Sequence, residues 1–310
     1  MKSFQEMLRK INREKVPEIA VAVAEDTEIL QAVKEAMDLG IARFHLVGNQ
    51  EKIKALLSEL MIDENQVKVT HEEDPLQASL KAVTLVSQDK AEIIMKGIVP
   101  TATILKAVLD KEIGLRTSRM MSHIAVFELE QYPKLLIVTD AAMNIAPKLE
   151  QKIQIVENAI QFAHSIGISL PKVALIAAIE TINLNMETTT DAAILAKMAD
   201  RGQIKGAVID GPLALDNAIS FEAARHKGIM SQVAGDADIL FVPNLEVGNV
   251  LYKSLVYFAK AKVGAIVVGA KAPVVLTSRA DSHEAKLLSI GLAVLSVQNK
   301  NKIAGSDREE

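Results

Sequence analysis

The sequence predicts an α/β protein of two domains with open, mostly parallel sheets covered by helices. Three observations lead there. Short runs of Val, Ile and Ala recur along nearly the whole chain without alternating with polar residues, as strands buried on both faces do. The segments between them repeat apolar residues at helical spacing. The length of 310 residues is roughly two domains at about 150 residues each. Strand–helix–strand repetition of this kind specifies parallel sheets with helices on their faces.

In chain order the predicted strands are Ile19–Ala24, Phe44–Val47, Ile93–Met95, Leu135–Val138, Val173–Ala178, Ala207–Ile209, Ile239–Val242, Ala265–Val268 and Val274–Thr277. The first helix opens at Asp26 and Thr27, puts Ile29, Ala32, Val33, Ala36 and Met37 on one face, and closes at Gly40. A later helix groups Ile153, Val156, Ile160 and Ala163 in the same way. The polar stretch Gly114–Met121 breaks the alternation, and Gly269–Pro273 separates two apolar runs. A discontinuous organisation follows as an expectation: residues 1–114 with 269–310 form one domain, and 115–268 form an inserted second domain.

Composition narrows the function. Net charge is −4 and aromatic residues make up 3% with no Trp, which argues against a basic nucleic-acid face and a base-stacking surface. The absence of cysteine excludes disulfides, thiolate metal sites and a Cys nucleophile, and suits a reducing, cytoplasmic interior. The amphipathic, charged segment Met1–Ala20 lacks the apolar run of a signal peptide. The apolar stretch Ala261–Ala272 is interrupted by Lys262 and Lys271 and is too short to span a membrane. The six histidines have no metal-ligand spacing, so no metal is expected.

Ligands of open parallel sheets bind beyond the carboxyl ends of the strands. Three loops there carry candidate chemistry. Thr277-Ser278-Arg279 leads into a helix opening with Asp281 and Ser282, where amide groups, the helix dipole and a guanidinium favour a phosphate. Helix capping by Ser278 or Asp281 and a solvated Arg279 account for these residues equally well. Lys96-Gly97, with Thr101 and Thr103 beyond it and Lys106 on the next helix, can hold an anion but also reads as an ordinary loop with solvated lysines. Neither a Walker loop nor a dinucleotide fingerprint is present. Asn249 and Lys253, four residues apart, share a helix face. Arg116 and Arg119 are solvated charges by default.

The strings AGDADILFVPNLEVGNVLYK (234–253) and GAKAPVVLTSRADS (269–282) resemble the phosphate acyltransferase family, which contains acetyl- and butyryltransferases. The segments 96–109, 114–128, 138–152, 171–193 and 206–224 are closer to the butyryl branch. The resemblance implies two α/β domains flanking a cleft, an isocitrate/isopropylmalate dehydrogenase-like arrangement, in homodimers or higher homo-oligomers. It implies reversible transfer of a short acyl group between coenzyme A and inorganic phosphate, giving an acyl phosphate, with coenzyme A as substrate and no tightly bound cofactor. Ser278 then meets the reacting carbonyl or thioester sulfur and Arg279 holds the phosphoryl group. Lys96, Thr101, Lys106 and Arg116 fall in segments lining the family's cleft, and Asn249 and Lys253 fall on its opposite wall.

One departure concerns the base. In the acetyl branch the Ser-Arg pair is followed by Gly, and an acid several residues further on acts as base. Here Ala280 follows, Ala285 stands seven after the serine, and Asp281 and Glu284 are the acids at hand, with His283 behind them. Phosphate acetyltransferase is the alternative within the same chemistry. A metal-dependent hydroxy-acid dehydrogenase and a non-catalytic acyl-coenzyme A-binding protein are the alternatives outside it.

Overall fold

The structure, a computed structural model, describes residues 1–277 and 281–306. The chain divides into two compact units. A terminal unit comprises Met7–Arg119 and Gly264–Glu310, and a middle unit comprises Met1–Glu6 and Met120–Val263.

After α1 (Phe4–Arg9), the terminal unit runs β1 (Glu18–Ala22), α2 (Thr27–Asp38), β2 (Arg43–Gly48), α3 (Gln50–Glu59), β3 (Lys68–His71), α4 (Pro75–Ser87), β4 (Ile93–Lys96) and α5 (Thr101–Val108). Its helices start on side-chain caps: the carboxylate of Asp26 accepts from the amide of Ile29, Asn49 from Lys52 and Asp74 from Gln77. Each supplies an acceptor to an amide that the helix leaves unpaired. On α2 the buried residues are Ile29, Leu30, Ala32, Val33 and Ala36, the apolar face expected from spacing. β3 escapes that reading because its residues are half-buried or exposed, so no apolar run marks it.

The middle unit runs β5 (Ser122–Glu128), β6 (Leu136–Thr139), α6 (Leu149–Ser165), β7 (Lys172–Ile176), α7 (Glu187–Asp200), β8 (Val208–Leu213), α8 (Leu215–Ile219), α9 (Phe221–His226), β9 (Ile239–Phe241) and α10 (Leu245–Tyr257). Its strand order is β5-β6-β9-β7-β8, parallel except for the β5–β6 pair. Residues 1–6 join this unit: the amide of Leu135 donates to the carbonyl of Met1, and the amide of Phe4 to the Glu128 carboxylate at 2.6 Å. On α6 the buried stripe is Lys152, Ile155, Val156, Ala159, Ile160 and Ala163. It lies about one residue round from the expected face, so Ile153 is only half-buried. The displacement brings Lys152 inside, where its ammonium meets the Asp191 carboxylate of α7 at 2.5 Å.

The chain then completes the terminal unit with β10 (Lys262–Val268), β11 (Val274–Val275) and α11 (His283–Ser306). The order there is β3-β2-β1-β4-β11-β10, parallel except for β10–β11. α11 lies close on β10. A Cβ at Gly264 would come within 3.0 Å of Leu288 and Leu292, and the amide of Ala265 donates to the Ser289 hydroxyl at 2.8 Å. The cores of both units are fully buried Ile, Val, Leu and Ala from the strands and the helix faces upon them. The fold is thus α/β with mostly parallel sheets, as the alternation of elements predicts.

Candidate functional site

In the terminal unit the carboxyl ends of β1, β4 and β11 lie side by side. Lys96 ends β4 and is buried. Its ammonium donates to the carbonyls of Gly97 at 3.1 Å and Val99 at 3.3 Å. Gly97 is required next to it: its amide and that of Ile98 bond the carbonyls of Ala22 and Val23 at 2.8 Å, and any Cβ would strike the Val23 carbonyl. The loop is therefore fixed to the end of β1, and it delivers Pro100 to the start of α5, where no side chain caps the helix. Thr101 and Lys106 are exposed on α5.

Arg116 is exposed on the segment after α5. That segment is tied to the loop before β11, with the amide of Lys271 donating to the carbonyl of Leu115 and the Thr117 hydroxyl to the carbonyl of Gly269 at 2.6 Å. The polar stretch that breaks the alternation in sequence is thus held, at 115–117, against 269–271.

Ser278 and Arg279, the residues on which the sequence reading rests most heavily, lie outside the described residues, as does Ala280. Beyond them Asp281 is half-buried and Glu284 exposed. Ser282 accepts from the amide of Ala285 and so takes the capping role that the sequence reading gives to Ser278 or Asp281. His283 is held at both ring nitrogens by carboxylates of α2, Glu28 at 3.6 Å and Glu35 at 3.4 Å. Its amide donates to Glu28 at 2.9 Å. This ring is engaged in fixing the start of α11 to α2.

The middle unit carries its own polar cluster where β6 ends. The buried Asp140 carboxylate accepts from the amides of Ala142 and Met143, both at 2.9 Å, and from the Asn144 side chain at 2.5 Å. Three donors converge on one carboxylate and fold the 140–144 loop back upon it. α10 approaches so closely that a Cβ at Gly248 would lie 2.5 Å from the carbonyl of Asp140. The Asn244 side chain caps α10 by accepting from Val247. Asn249 is half-buried and Lys253 exposed on that helix. Between them Tyr252 packs edge-on against Phe127, with ring centroids 5.4 Å apart.

Sequence reasoning missed His123, which reads there as one scattered histidine among six. It is the second residue of β5, beside Tyr252 with ring centroids 6.2 Å apart, and its Nδ1 is buried without a hydrogen-bond partner. Burial pushes its pKa below the ordinary histidine value, against a smaller opposing pull from Asp140. The signal in sequence was a lone imidazole inside the apolar run Ser122–Glu128, where a histidine carries a desolvation cost. Among the described residues no three His, Asp or Glu side chains are grouped as metal ligands. None of the described helices is long and apolar enough to cross a membrane.

Lys96, Thr101, Lys106, Arg116, Asp281 and Glu284 therefore belong to the terminal unit, and Asn249 and Lys253 to the middle unit. Chemically the terminal unit offers a buried ammonium, a tightly fixed glycine loop and exposed cations, a set suited to anionic ligands.

Comparison with known proteins bears on what those anions are. The family model described as Phosphate acetyl/butaryl transferase matches residues 3–77 and 72–294. A phosphate butyryltransferase of Clostridium acetobutylicum is 53% identical over 300 residues, covering 97% of this chain and all of that protein. A phosphate acetyltransferase of Thermotoga maritima is 43% identical over 292 residues, covering 94% of this chain and 99% of that protein. Among solved structures, a branched-chain phosphotransacylase from Enterococcus faecalis superposes with a TM-score of 0.81 at 40% identity, over 91% of this chain and 99% of that one.

Proposed function

The chain belongs to the phosphate acetyl/butaryl transferase family, and we propose that it moves a short acyl group, butyryl or branched, reversibly between coenzyme A and inorganic phosphate. The observation that carries this reading is the 53% identity to a phosphate butyryltransferase along essentially the whole of both chains. The 43% identity to an acetyltransferase favours the acetyl group as second choice.

In the forward reaction a phosphate oxygen attacks the thioester carbonyl. A tetrahedral oxyanion forms, the C–S bond breaks, and coenzyme A leaves as thiolate and takes up a proton. The products are an acyl phosphate and the free thiol. The chain has no cysteine, so no acyl thioester forms on the enzyme, and the simplest route passes the acyl group directly between the two substrates in a ternary complex. On the family resemblance, Ser278 donates to the developing oxyanion or the sulfur, and Arg279 grips the phosphoryl oxygens. Asp281 and Glu284 are the acids nearest in sequence for proton transfer. Lys96, buried on its carbonyl cradle, supports the reading with a fixed positive charge. On the same resemblance, Lys106 and Arg116 neutralise phosphate or pyrophosphate groups of the substrates, and Thr101, Asn249 and Lys253 are substrate-binding residues.

The enzyme works as a homodimer or higher homo-oligomer in the cytoplasm. On α10 only Gly248 is buried, while Val247, Val250 and Tyr257 are exposed and Phe258 just beyond is 89% exposed. An apolar helix of this kind calls for a covering surface. The absence of cysteine suits a reducing compartment.

The decisive assay follows thiol release from butyryl-, isobutyryl- and acetyl-coenzyme A in phosphate, with the acyl phosphate trapped by hydroxylamine. Fastest turnover with the four-carbon thioesters is expected. Fastest turnover with acetyl reverses the chain preference, and no phosphate-dependent release from any of them removes the acyl-transfer reading. Light scattering on the eluting protein gives the oligomer, with a monomer opposing the assembly proposed.

A further inference from the structure

The loop that follows β4 carries an apolar side chain where the fold places ligands. Among the described residues of the terminal unit, the large apolar side chains that stay exposed are Leu39, Met61, Ile98 and Leu109. Leu39, Met61 and Leu109 lie just past the ends of α2, α3 and α5. At those points a helix has carried the chain back to the amino edge of the parallel strands. Ile98 alone follows a strand. It stands just past the end of β4 at Lys96, on the carboxyl edge where open parallel sheets bind their ligands. A single exposed apolar side chain is ordinary on a protein surface. The place and the rigidity of this one set it apart.

Its backbone is fixed on both sides. The amides of Gly97 and Ile98 donate to the carbonyls of Ala22 and Val23, both at 2.8 Å. Val99 is fully buried, and its carbonyl accepts from the Lys96 ammonium at 3.3 Å. Val23, whose carbonyl receives the Ile98 amide, has a φ of 58°. A β-branched residue takes that left-handed conformation only where its surroundings impose it. The protein thus holds an isoleucine 40% exposed on a loop with little freedom. Its Cα lies no more than about 7 Å along the chain from that of Lys96.

We infer that Ile98 is a specificity-determining residue, whose side chain meets the hydrocarbon tail of the acyl group. The inference rests on the acyl-transfer reading, in which Lys96 supplies a fixed positive charge beside the reacting groups. A thioester carbonyl attacked by phosphate near that charge extends its tail within reach of an apolar side chain two residues further on. A butyryl or isobutyryl tail covers more of that side chain than an acetyl methyl does. The loop is already rigid, so covering it costs no further ordering. One methylene in a closed apolar pocket is worth tenfold or more in discrimination, and a partly open contact gives about tenfold. Binding of the tail can be measured apart from turnover, because an acyl-coenzyme A without phosphate has no acceptor.

The test compares Ile98→Ala, Ile98→Thr and Ile98→Val with the unaltered protein. It measures kcat/KM for butyryl-, isobutyryl- and acetyl-coenzyme A, the KM for phosphate, and the rise in melting temperature on adding butyryl-coenzyme A or free coenzyme A without phosphate. Ile98→Ala is expected to lower the butyryl-to-acetyl ratio of kcat/KM about tenfold, with the phosphate KM changed less than twofold. Ile98→Thr keeps the branching at Cβ, and so the loop conformation, but replaces apolar surface with a hydroxyl. The same fall in the ratio is expected, and this variant decides the matter if the Ala variant disturbs the loop. Ile98→Val keeps most of the apolar surface and is expected to hold the ratio within threefold. The butyryl ligand is expected to raise the melting temperature of the unaltered protein more than free coenzyme A does, an excess that the Ala and Thr variants lose. A ratio within twofold of the original in both of those variants overturns the inference. So does an equal fall for all three thioesters with a raised phosphate KM that Val does not restore, which marks a purely structural isoleucine. If the butyryl excess in melting temperature depends on Ile98 yet the unaltered protein transfers no acyl group, the acyl-transfer reading fails and the Ile98 contact stands. Acyl transfer with a chain preference indifferent to Ile98 keeps that reading and removes the inference.

Discussion

Two buried lysines, one in each unit, show how the same residue type serves different ends. Lys152 of the middle unit lies on the inner face of α6 and meets Asp191 of α7 at 2.5 Å, with side chains 6% and 12% exposed. Its charge is neutralised within the protein. Lys286 of the terminal unit is equally buried but is met by a carbonyl dipole, with no carboxylate partner among the described residues. A neutralised pair is closed and structural. An ammonium met by a carbonyl alone keeps its charge, stabilised only by a dipole.

The largest effect expected from this contrast is on stability. Lys152→Ala leaves the Asp191 carboxylate buried alone and should cost about 3–5 kcal/mol in urea unfolding. Replacing both partners with Met and Leu should recover most of that loss, since the desolvation cost of both charges disappears. If Lys152→Ala leaves stability intact, the pair is not structural and the contrast fails.

Next in size, Arg279→Ala should lower phosphate-dependent turnover by about 10²–10³-fold, the usual effect of deleting one preorganised group that stabilises reacting charge, here that of the phosphoryl oxygens. The melting temperature should stay within a degree or two. Near-normal phosphate kinetics would remove Arg279 from the site.

A smaller loss is expected at the join of α10 and the Asp140 loop. Gly248→Ala places a methyl group 2.5 Å from the Asp140 carbonyl and 2.8 Å from Ala141. Backbone on both sides leaves little room to relax, so about 1–3 kcal/mol of stability should be lost. A neutral result in chemical denaturation would show that α10 shifts freely.

The smallest effect appears only in acid. Burial holds the folded-state pKa of His123 below its ordinary value, and Asp140 opposes this less strongly. The unfolded chain therefore takes up a proton, from about pH 6.5 downward, that the folded protein refuses. Stability from this group is complete above that pH and declines as pH falls toward the lowered pKa. His123→Gln should flatten melting temperature against pH in that window. A residual slope is expected from His45, which burial lowers in the same direction. An unchanged slope in the variant would contradict the assignment.

Much of this molecule is legible in the sequence. Nine apolar runs mark nine of the strands, because strands covered on both faces must be apolar throughout. β3 is hidden because its residues are half-buried or exposed. β5 is hidden for another reason: it begins with the polar pair Ser122-His123 beside the broken stretch, and it pairs antiparallel with β6. Asp26 acts as the helix cap its local sequence suggests, whereas the cap of α11 is Ser282 rather than Ser278 or Asp281. Gly97 reads in sequence as permitting close backbone approach, and it makes one, but Lys96 is buried on two carbonyls where the ordinary-loop reading has it solvated. Nothing in the local pattern marks Lys286, His123 or the Lys152–Asp191 pair.

That division has a physical cause. Periodicity, capping and backbone freedom are local properties, decided within a few residues, so the sequence by itself determined the α/β class, the order of elements and the family likeness. Whether a charge is buried, and what meets it, depends on segments far apart in the chain: Lys152 and Asp191 are 39 residues apart, and His283 finds its Glu28 partner 255 residues away. Only the tertiary structure could decide that one lysine is answered by a carboxylate and another is left to a carbonyl, because the cost of a charge is set by its surroundings rather than by its neighbours in sequence.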